Sequence, residues 1–428
     1  MINFMSKLRN HSVAPDDVIP RGRRGASSMA GQLEVVGRSA PSVLLIGFYG
    51  RGNFGDDLMC RALTETLIRD DQYRVSVVSS GANEFRNLAA KGVSIVPRSI
   101  RSVIASMSQT DILCQGGGTN FHDSYKGKHL LHHWVSLLKW TMLFWIARVK
   151  GIEVVIVGAG FGPLRHPISR WITRLAVAAC GAIGVRDQAS VDELRKISPG
   201  IPCELGFDLA ALSLLASPDV PTAVDPPKPS RVLGISACSL TPFLGDAAMN
   251  ENYWQTMGDA LARFAQENSV RIVFFSLFTG ASSESDDDVT DIIISRLPEV
   301  VTYSRHSYEG DVDAFTALFD ECEWFLATKF HAALGAYLYG CECAIVSYNR
   351  KLTDLAKEIY LSPDRCLPAH QTQPVEVWLS VLNSFMQDGT TSVLNRQEAK
   401  RRAYKAVEAV LARVCDKKPF MEVVYRGC

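Results

Sequence analysis

The sequence predicts an α/β protein made of two Rossmann-like domains, with parallel sheets facing a central cleft. Three observations carry this. Short runs rich in Val, Leu and Ile alternate with segments of helical apolar period along most of the chain. Several of these runs end in glycine-rich turns, where a parallel sheet opens its ligand crevice. A stretch with five prolines, 216–230, splits the alternation into two series and reads as a stiff linker. The expected layout is a basic tail over 1–40, a first domain over 41–215 and the linker over 216–230. A second domain then fills 231–370, and closing helices occupy 371–428.

The first series opens with the strand Val43–Ile46, a turn carrying Gly50, Gly52 and Gly55, and a helix from Asp56 to Ile68. The glycine spacing matches G-x-G-x-x-G, yet two details argue against a dinucleotide. Asp56 and Asp57 would repel a pyrophosphate at that helix end, and the next strand, Arg74–Val78, ends in Ser79-Ser80-Gly81 with no acid for a ribose. A turn that brings backbone close to a ligand, with carboxylates for hydroxyls, fits better. Strands follow at Val93–Val96 and at Asp111–Cys114, the latter running into Gly116-Gly117-Gly118 and Asp123. A long helix spans Leu130–Lys150. The strand Glu153–Val157 leads to Gly158, Gly160 and Gly162, and after a helix at Ile168–Ala179 the strand Ala182–Val185 ends at Arg186-Asp187.

The second series predicts strands at Arg231–Ser236, Val270–Ser276, Val300–Tyr303, Trp324–Ala327 and Cys343–Ser347. Helices lie between them at Tyr253–Asn268, Val289–Leu297, Val312–Phe319 and Phe330–Tyr339. Two more, Val375–Met386 and Arg396–Val414, close the chain. Two such domains around a linker have the GT-B-like layout.

Composition bounds the function. The chain has 428 residues, 47% of them hydrophobic, enough for two domains with separate cores. With 45 basic and 45 acidic residues, no global field recruits nucleic acid, so an anion site has to be local. Eleven cysteines occur without a C-x-x-C pair, and Cys341 and Cys343 alone form no metal set. No metal site is expected. Scattered thiols, no apolar signal core and no span of ~20 apolar residues point to a soluble, cytoplasmic protein. Two features would suit contact with the inner face of a membrane: the basic tail, and the aromatics Trp134, Trp140, Phe144 and Trp145 on the long helix. Core packing is the plainer reading of those aromatics.

The chemistry concentrates at Ala327-Thr328-Lys329-Phe330-His331. Thr328 is the expected N-cap, which places Lys329 and His331 in a first helical turn beside free amides. That is an anion pocket with a proton donor. Ser347-Tyr348-Asn349-Arg350-Lys351 forms a cationic turn after the next strand, on the same rim. Arg186 ends its strand facing the cleft, or pairs with Asp187 or Asp192.

Gly52-Asn53-Phe54-Gly55-Asp56, Gly116-Gly117-Gly118 with Asp123, Gly184-Val185-Arg186-Asp187, Phe207-Asp208, Lys329-Phe330-His331-Ala332 and Tyr348-Asn349-Arg350-Lys351 stand in the order found in one family. From about 43 to 360 the chain resembles the polysaccharide pyruvyl transferases. The resemblance implies transfer of a pyruvyl group from phosphoenolpyruvate, a co-substrate, onto an exopolysaccharide or cell-wall glycan precursor, with no further cofactor. It implies His331 as general acid and Arg186, Lys351 and Lys329 as donor-binding residues. Gly52, Asn53, Asp56, Gly117, Gly118 and Asp123 would then bind the glycan or lipid-linked oligosaccharide acceptor from the first-domain side. One departure stands out: Lys329 occupies a position where the family usually has arginine, and lysine lacks the planar two-point grip. Two other readings share the fold class. One is a nucleotide-sugar glycosyltransferase, with Asp354 or Glu358 on a ribose; the other is a glycan-binding relative without turnover.

Overall fold

The computed structural model describes residues 40–81, 85–124, 127–214, 231–241, 246–278, 286–369, 373–387 and 393–415. The tail over 1–39 and the proline-rich linker over 216–230 lie outside the described residues.

The first sheet contains β1 (Ser42–Ile46), β2 (Arg74–Ser79), β3 (Ser94–Pro97), β4 (Ile112–Gly116), β5 (Glu153–Ala159), β6 (Ala182–Val185) and β7 (Cys203–Leu205). All its pairings are parallel, in the order β3-β2-β1-β4-β5-β6-β7. Helices α1 (Phe54–Ile68), α2 (Arg86–Ala90), α3 (Ile100–Ser106), α4 (Gly127–Val149), α5 (Pro167–Ala178) and α6 (Gln188–Ile197) form the crossovers.

The second sheet runs β10-β9-β8-β11-β12-β13, again all parallel. Its strands are β8 (Val232–Ser236), β9 (Arg271–Ser276), β10 (Tyr303–Ser307), β11 (Trp324–Ala327), β12 (Glu342–Ser347) and β13 (Cys366–Pro368). Its helices are α7 (Ala247–Asn268), α8 (Asp286–Ile294), α9 (Val312–Glu321), α10 (Phe330–Leu338), α11 (Arg350–Glu358) and α12 (Val375–Ser384). A last helix, α13 (Arg396–Cys415), follows.

Strand periodicity distributes the core. Leu44 and Ile46 of β1 face one layer, with Phe144 of α4 and Ile172 of α5. Val43 and Leu45 face the other, which runs without a break into the inner face of the second sheet through Phe54, Phe275, Phe315, Phe319 and Phe325. The expectation of two separate cores is therefore corrected: the inner faces of both sheets share one apolar core. A third cluster, around Trp254, Phe264 and Trp378, covers the outer face of the second sheet.

The closing helices also differ from the expected unit over 371–428. Helix α12 packs on α7 of the second domain, whereas α13 returns to the first and lies on β5, β6 and β7. Gly184 and Gly206 let it approach; a Cβ on Gly206 would stand 2.6 Å from Ala406. The edge strand β10 begins at Tyr303, three residues later than the apolar run suggests. Val300 is exposed, and Val301 turns back to bond Pro298, so pairing starts only with Tyr303 against Ile272.

Candidate active site

The loop after β1 enters the second domain. Asp57, fully buried, accepts from the Gly50 amide at 2.8 Å and from the Tyr308 hydroxyl at 3.0 Å. The Phe54 amide donates to the Leu277 carbonyl at 3.1 Å, and Asn53 bridges Phe278. The Phe54 ring packs on Phe315 at 4.8 Å and edge-on to Tyr308 at 5.5 Å. The Asn53 side-chain oxygen caps α1 by accepting from Gly55 at 3.1 Å. Polar and aromatic contacts thus fix the N-terminus of α1 against the carboxyl ends of the second sheet.

Across that junction stands His331. A Cβ placed on Gly55 would lie 1.9 Å from its Nδ1, so only glycine leaves room for the ring. Its Nε2 has no hydrogen-bond partner among the described residues and lies 3.9 Å from the Asp208 carboxylate. Burial pushes the imidazole down to about 4; Asp208 opposes this, while Arg186 and Lys351 reinforce it. His331 is therefore neutral near pH 7.

Arg186 is held on every side. Its Nε donates to Asp187 at 3.2 Å, one terminal nitrogen to Asp208 at 3.2 Å and the other to Thr119 at 3.0 Å. The guanidinium stacks over Phe330, the residue before His331, at 4.1 Å. Three of its five N–H groups are taken in this way, which leaves two for a ligand.

Lys351 lies in the first turn of α11, whose N-cap is Asn349, accepting from the Leu352 amide at 3.2 Å. The expected cationic turn is thus the start of a helix, because Asn349 supplies the cap. Lys351 has a solvent-accessible side chain, makes no hydrogen bond among the described residues, and lies in the field of Asp56 and Arg186 from the first domain and Lys329 from the second. Desolvation, with Arg186 and Lys329 nearby, lowers its ammonium to about 8 against the pull of Asp56. Asp56 is pushed the other way, to about 7, by burial and by Asp57 beside it, with Lys351 and Arg186 opposing. The N-termini of α10 and α11 thus bring His331 and Lys351 to a local preference for an anion, while Asp56 and Asp57 occupy the N-terminus of α1 beside them.

A family model described as polysaccharide pyruvyl transferase matches residues 53–350. The chain belongs to the polysaccharide pyruvyl transferase family. It is accordingly an enzyme of polysaccharide pyruvylation. A search of curated proteins found no match. Among solved structures, a Listeria monocytogenes protein described as a putative UDP-N-acetylglucosamine 2-epimerase shares 10% identity and a TM-score of 0.56, over 89% of this chain and 98% of that one. The Neisseria meningitidis UDP-GlcNAc 2-epimerase gives 12% identity and 0.55, over 87% and 100%. The Methanocaldococcus jannaschii UDP-GlcNAc 2-epimerase gives 11% and 0.50, over 87% and 99%. At such identities the likeness shows the fold, two parallel-sheet α/β domains of GT-B type.

Of the positions that resemblance to the pyruvyl transferase family singles out, Asp56, Arg186, His331 and Lys351 come together, with Gly118 beside Asp56. Gly52, at φ 68°, and Gly117, at φ 63°, turn the two loops behind them. Lys329 reaches the same field, but its ammonium is paired with Asp286 at 2.6 Å. Lys329, not Thr328, is the N-cap residue of α10, because the Thr328 hydroxyl donates to Ser236 instead. Asn53 spends its side-chain oxygen on the cap of α1. Asp123 sits apart, buried, accepting from the His166 amide at 2.5 Å and thereby tying two glycine loops together.

Several functional partners carry no role in the reading of the sequence: Thr119, Phe330 and Asp208 around Arg186, Gly55 beneath His331, and Asp286 on Lys329. His122 is another; burial, His133 and Lys351 push its imidazole down to about 3. Asp208, Phe330 and Gly55 have a signal, since they stand within the ordered family motifs. Thr119, Asp286 and His122 are visible only as contacts between distant segments.

Proposed function

We propose that this pyruvyltransferase uses phosphoenolpyruvate as donor and closes a cyclic ketal across two hydroxyls of a glycan precursor. The observation that carries the reading is His331: an imidazole nitrogen without a hydrogen-bond partner among the described residues, within the field of Arg186 and Lys351. A small donor bearing phosphate and carboxylate suits those two cations and the N-termini of α10 and α11.

The donor's phosphate, placed beside His331, raises the imidazole's proton affinity, so the proton arrives with the donor. His331 then protonates the methylene carbon, forming the methyl group and an oxocarbenium-like centre at the adjacent carbon. A sugar hydroxyl attacks that centre and loses its proton. Inorganic phosphate leaves with the C–O bond electrons, and a second hydroxyl attacks, loses its proton and closes the ring. Asp56, carrying a carboxyl balanced near neutrality beside Gly118, is suited to receive a hydroxyl proton. Gly52, Gly117 and Gly118 would let backbone approach the acceptor. A lipid-linked oligosaccharide acceptor would bring the reaction to the cytoplasmic face of a membrane.

The nucleotide-sugar reading loses support at its two acids, since Asp354 pairs with Arg350 at 3.1 Å and Glu358 with Arg402 at 2.9 Å. Incubation with phosphoenolpyruvate and a panel of lipid-linked oligosaccharides tests the proposal. The expected result is phosphate release with a mass gain of one pyruvate less water. Uridine diphosphate release from a sugar nucleotide, with no phosphate from phosphoenolpyruvate, would overturn it.

A further inference from the structure

We propose that the outer face of α4 and α5 docks on a bilayer surface rich in anionic phospholipid, with the protein lying on the membrane. This goes beyond pyruvyl transfer and does not rest on it. Helix α4 exposes Leu131, Val135, Leu138, Met142, Trp145 and Val149, spaced four and three residues apart in turn, which puts all six on one stripe. Met142 is 62% and Val149 85% exposed. From Leu131 to Val149 the stripe runs over about 27 Å of the helix. Helix α5 lies alongside and extends the surface with Ile168 and Trp171, the latter 58% exposed. The two helices are joined by Trp134 Nε1 donating to Ser169 Oγ at 2.9 Å and Trp145 Nε1 donating to the Leu175 carbonyl at 3.1 Å. Other aromatic and aliphatic side chains of α4, such as Phe144 and Leu137, already fill the core. The exposed stripe is therefore additional to what folding needs.

Charge selects the occupant. Neither helix contains an acidic residue. Lys128, Lys139 and Lys150 flank the stripe on one side and Arg170 and Arg174 border it on the other, all exposed. Arg148 is the exception, since it pairs with Glu153 at 3.0 Å. A second copy docked stripe to stripe would set these bases against their own counterparts with no acid to answer them. An anionic lipid surface answers all of them while its acyl boundary takes up the apolar stripe. No helix among the described residues is long and apolar enough to cross a membrane, which fits a helix lying in the interface. Helix α4 starts just after the Gly116–Asp123 loop, so such docking would set the cleft mouth near the membrane.

The test is sedimentation of the full chain with extruded vesicles of phosphatidylcholine, with and without one-third phosphatidylglycerol (a ~1:2 mixture), over a salt series. Binding is expected on the anionic vesicles and should weaken with salt. Lys139→Ala and Arg174→Ala should each weaken it roughly fivefold. Met142→Glu with Val149→Glu should reduce it more than ~tenfold, while melting temperature and phosphate release with a soluble acceptor stay unchanged. Three results would overturn the proposal: no binding to anionic vesicles, binding indifferent to the double substitution, or a dimer of the chain that the double substitution dissolves. Because vesicle binding is read without turnover, its failure leaves the assignment of the reaction untouched.

Discussion

The two cations of the cleft are held in opposite ways. Arg186, at the end of β6, is buried, and its three kinds of nitrogen all have partners in Asp187, Asp208 and Thr119. Lys351, at the start of α11, faces water with no hydrogen bond among the described residues. A buried arginine of this kind positions its neighbours and carries a fixed charge into the site. An exposed lysine on a flexible stem can close on a ligand and let go. His331 stands between the two modes, seated against Gly55 yet free at Nε2. The first sheet thus supplies a rigidly held cation with two N–H groups left for substrate, and the second supplies groups free to move onto it.

Replacing the group between them should have the largest effect. His331→Ala is expected to lower turnover of phosphoenolpyruvate by ~10²–10⁴ without loss of fold. The check is phosphate release followed alongside a thermal melt. Turnover within a few-fold of the parent would remove His331 as the proton donor and end the contrast between a fixed rim and a working one.

The cations themselves should separate by readout. Arg186→Ala leaves Asp208 buried without its counter-charge and is expected to cost about 3–5 kcal/mol of stability, measured by urea unfolding. Lys351→Ala should leave the unfolding midpoint in place and lower kcat/KM for phosphoenolpyruvate by ~10–100-fold, about the worth of a charged hydrogen bond. Equal stability losses in the two variants would erase the distinction. Arg186→Lys sharpens it: charge survives, but the grip on three partners and the stacking on Phe330 do not.

The seat of His331 can be altered without touching the ring. Gly55→Ala puts a methyl group 1.9 Å from Nδ1, so the imidazole has to move by about an ångström or more. A roughly hundredfold loss of kcat is expected, with donor affinity retained. Equilibrium dialysis of phosphoenolpyruvate separates this from collapse of the pocket.

Much of the scaffold is legible in the sequence because it is written in local patterns. The apolar runs Val43–Ile46 and Trp324–Ala327 are buried strands, and periodicity alone marks them. Strand β10 escapes the same logic because Arg305 and His306 make a polar edge strand, while the apolar Val300 and Val301 form a turn. The helix at Arg350 looks like a turn because its charged first residues hide the apolar face of Leu352 and Leu355. Within the site, chemistry at strand ends is readable for Arg186, His331 and Lys351. Which residues they pair with is not, because the Gly55–His331 contact and the Arg186–Asp208 pair join segments that only the fold brings together. Lys329 shows the same limit: its pairing with Asp286 depends on a helix from elsewhere in the second domain.

The smallest effect tests whether the electrostatic balance around Lys351 is a property of the closed junction. Burial and Asp57 hold the Asp56 carboxyl up at about 7, against an ordinary value of 3.8. The folded protein therefore keeps a proton there that the unfolded chain releases. Stability from this group is fully present below about pH 4 and is lost as pH rises through about 7. Asp56→Asn removes the titration. The variant should match the parent below about pH 4 and exceed it above pH 7, with the difference growing in between. Comparing the two chains at each pH cancels the opposite trend from His331, whose lowered proton affinity costs stability as pH falls from 6.5 towards 4. Unfolding curves at pH 5, 6, 7 and 8 read the difference directly. A constant offset across that range would mean that Asp56 is ionised throughout, held by Lys351 more firmly than burial opposes it. The exposed lysine would then be bound to its carboxylate as tightly as the buried arginine is to Asp208.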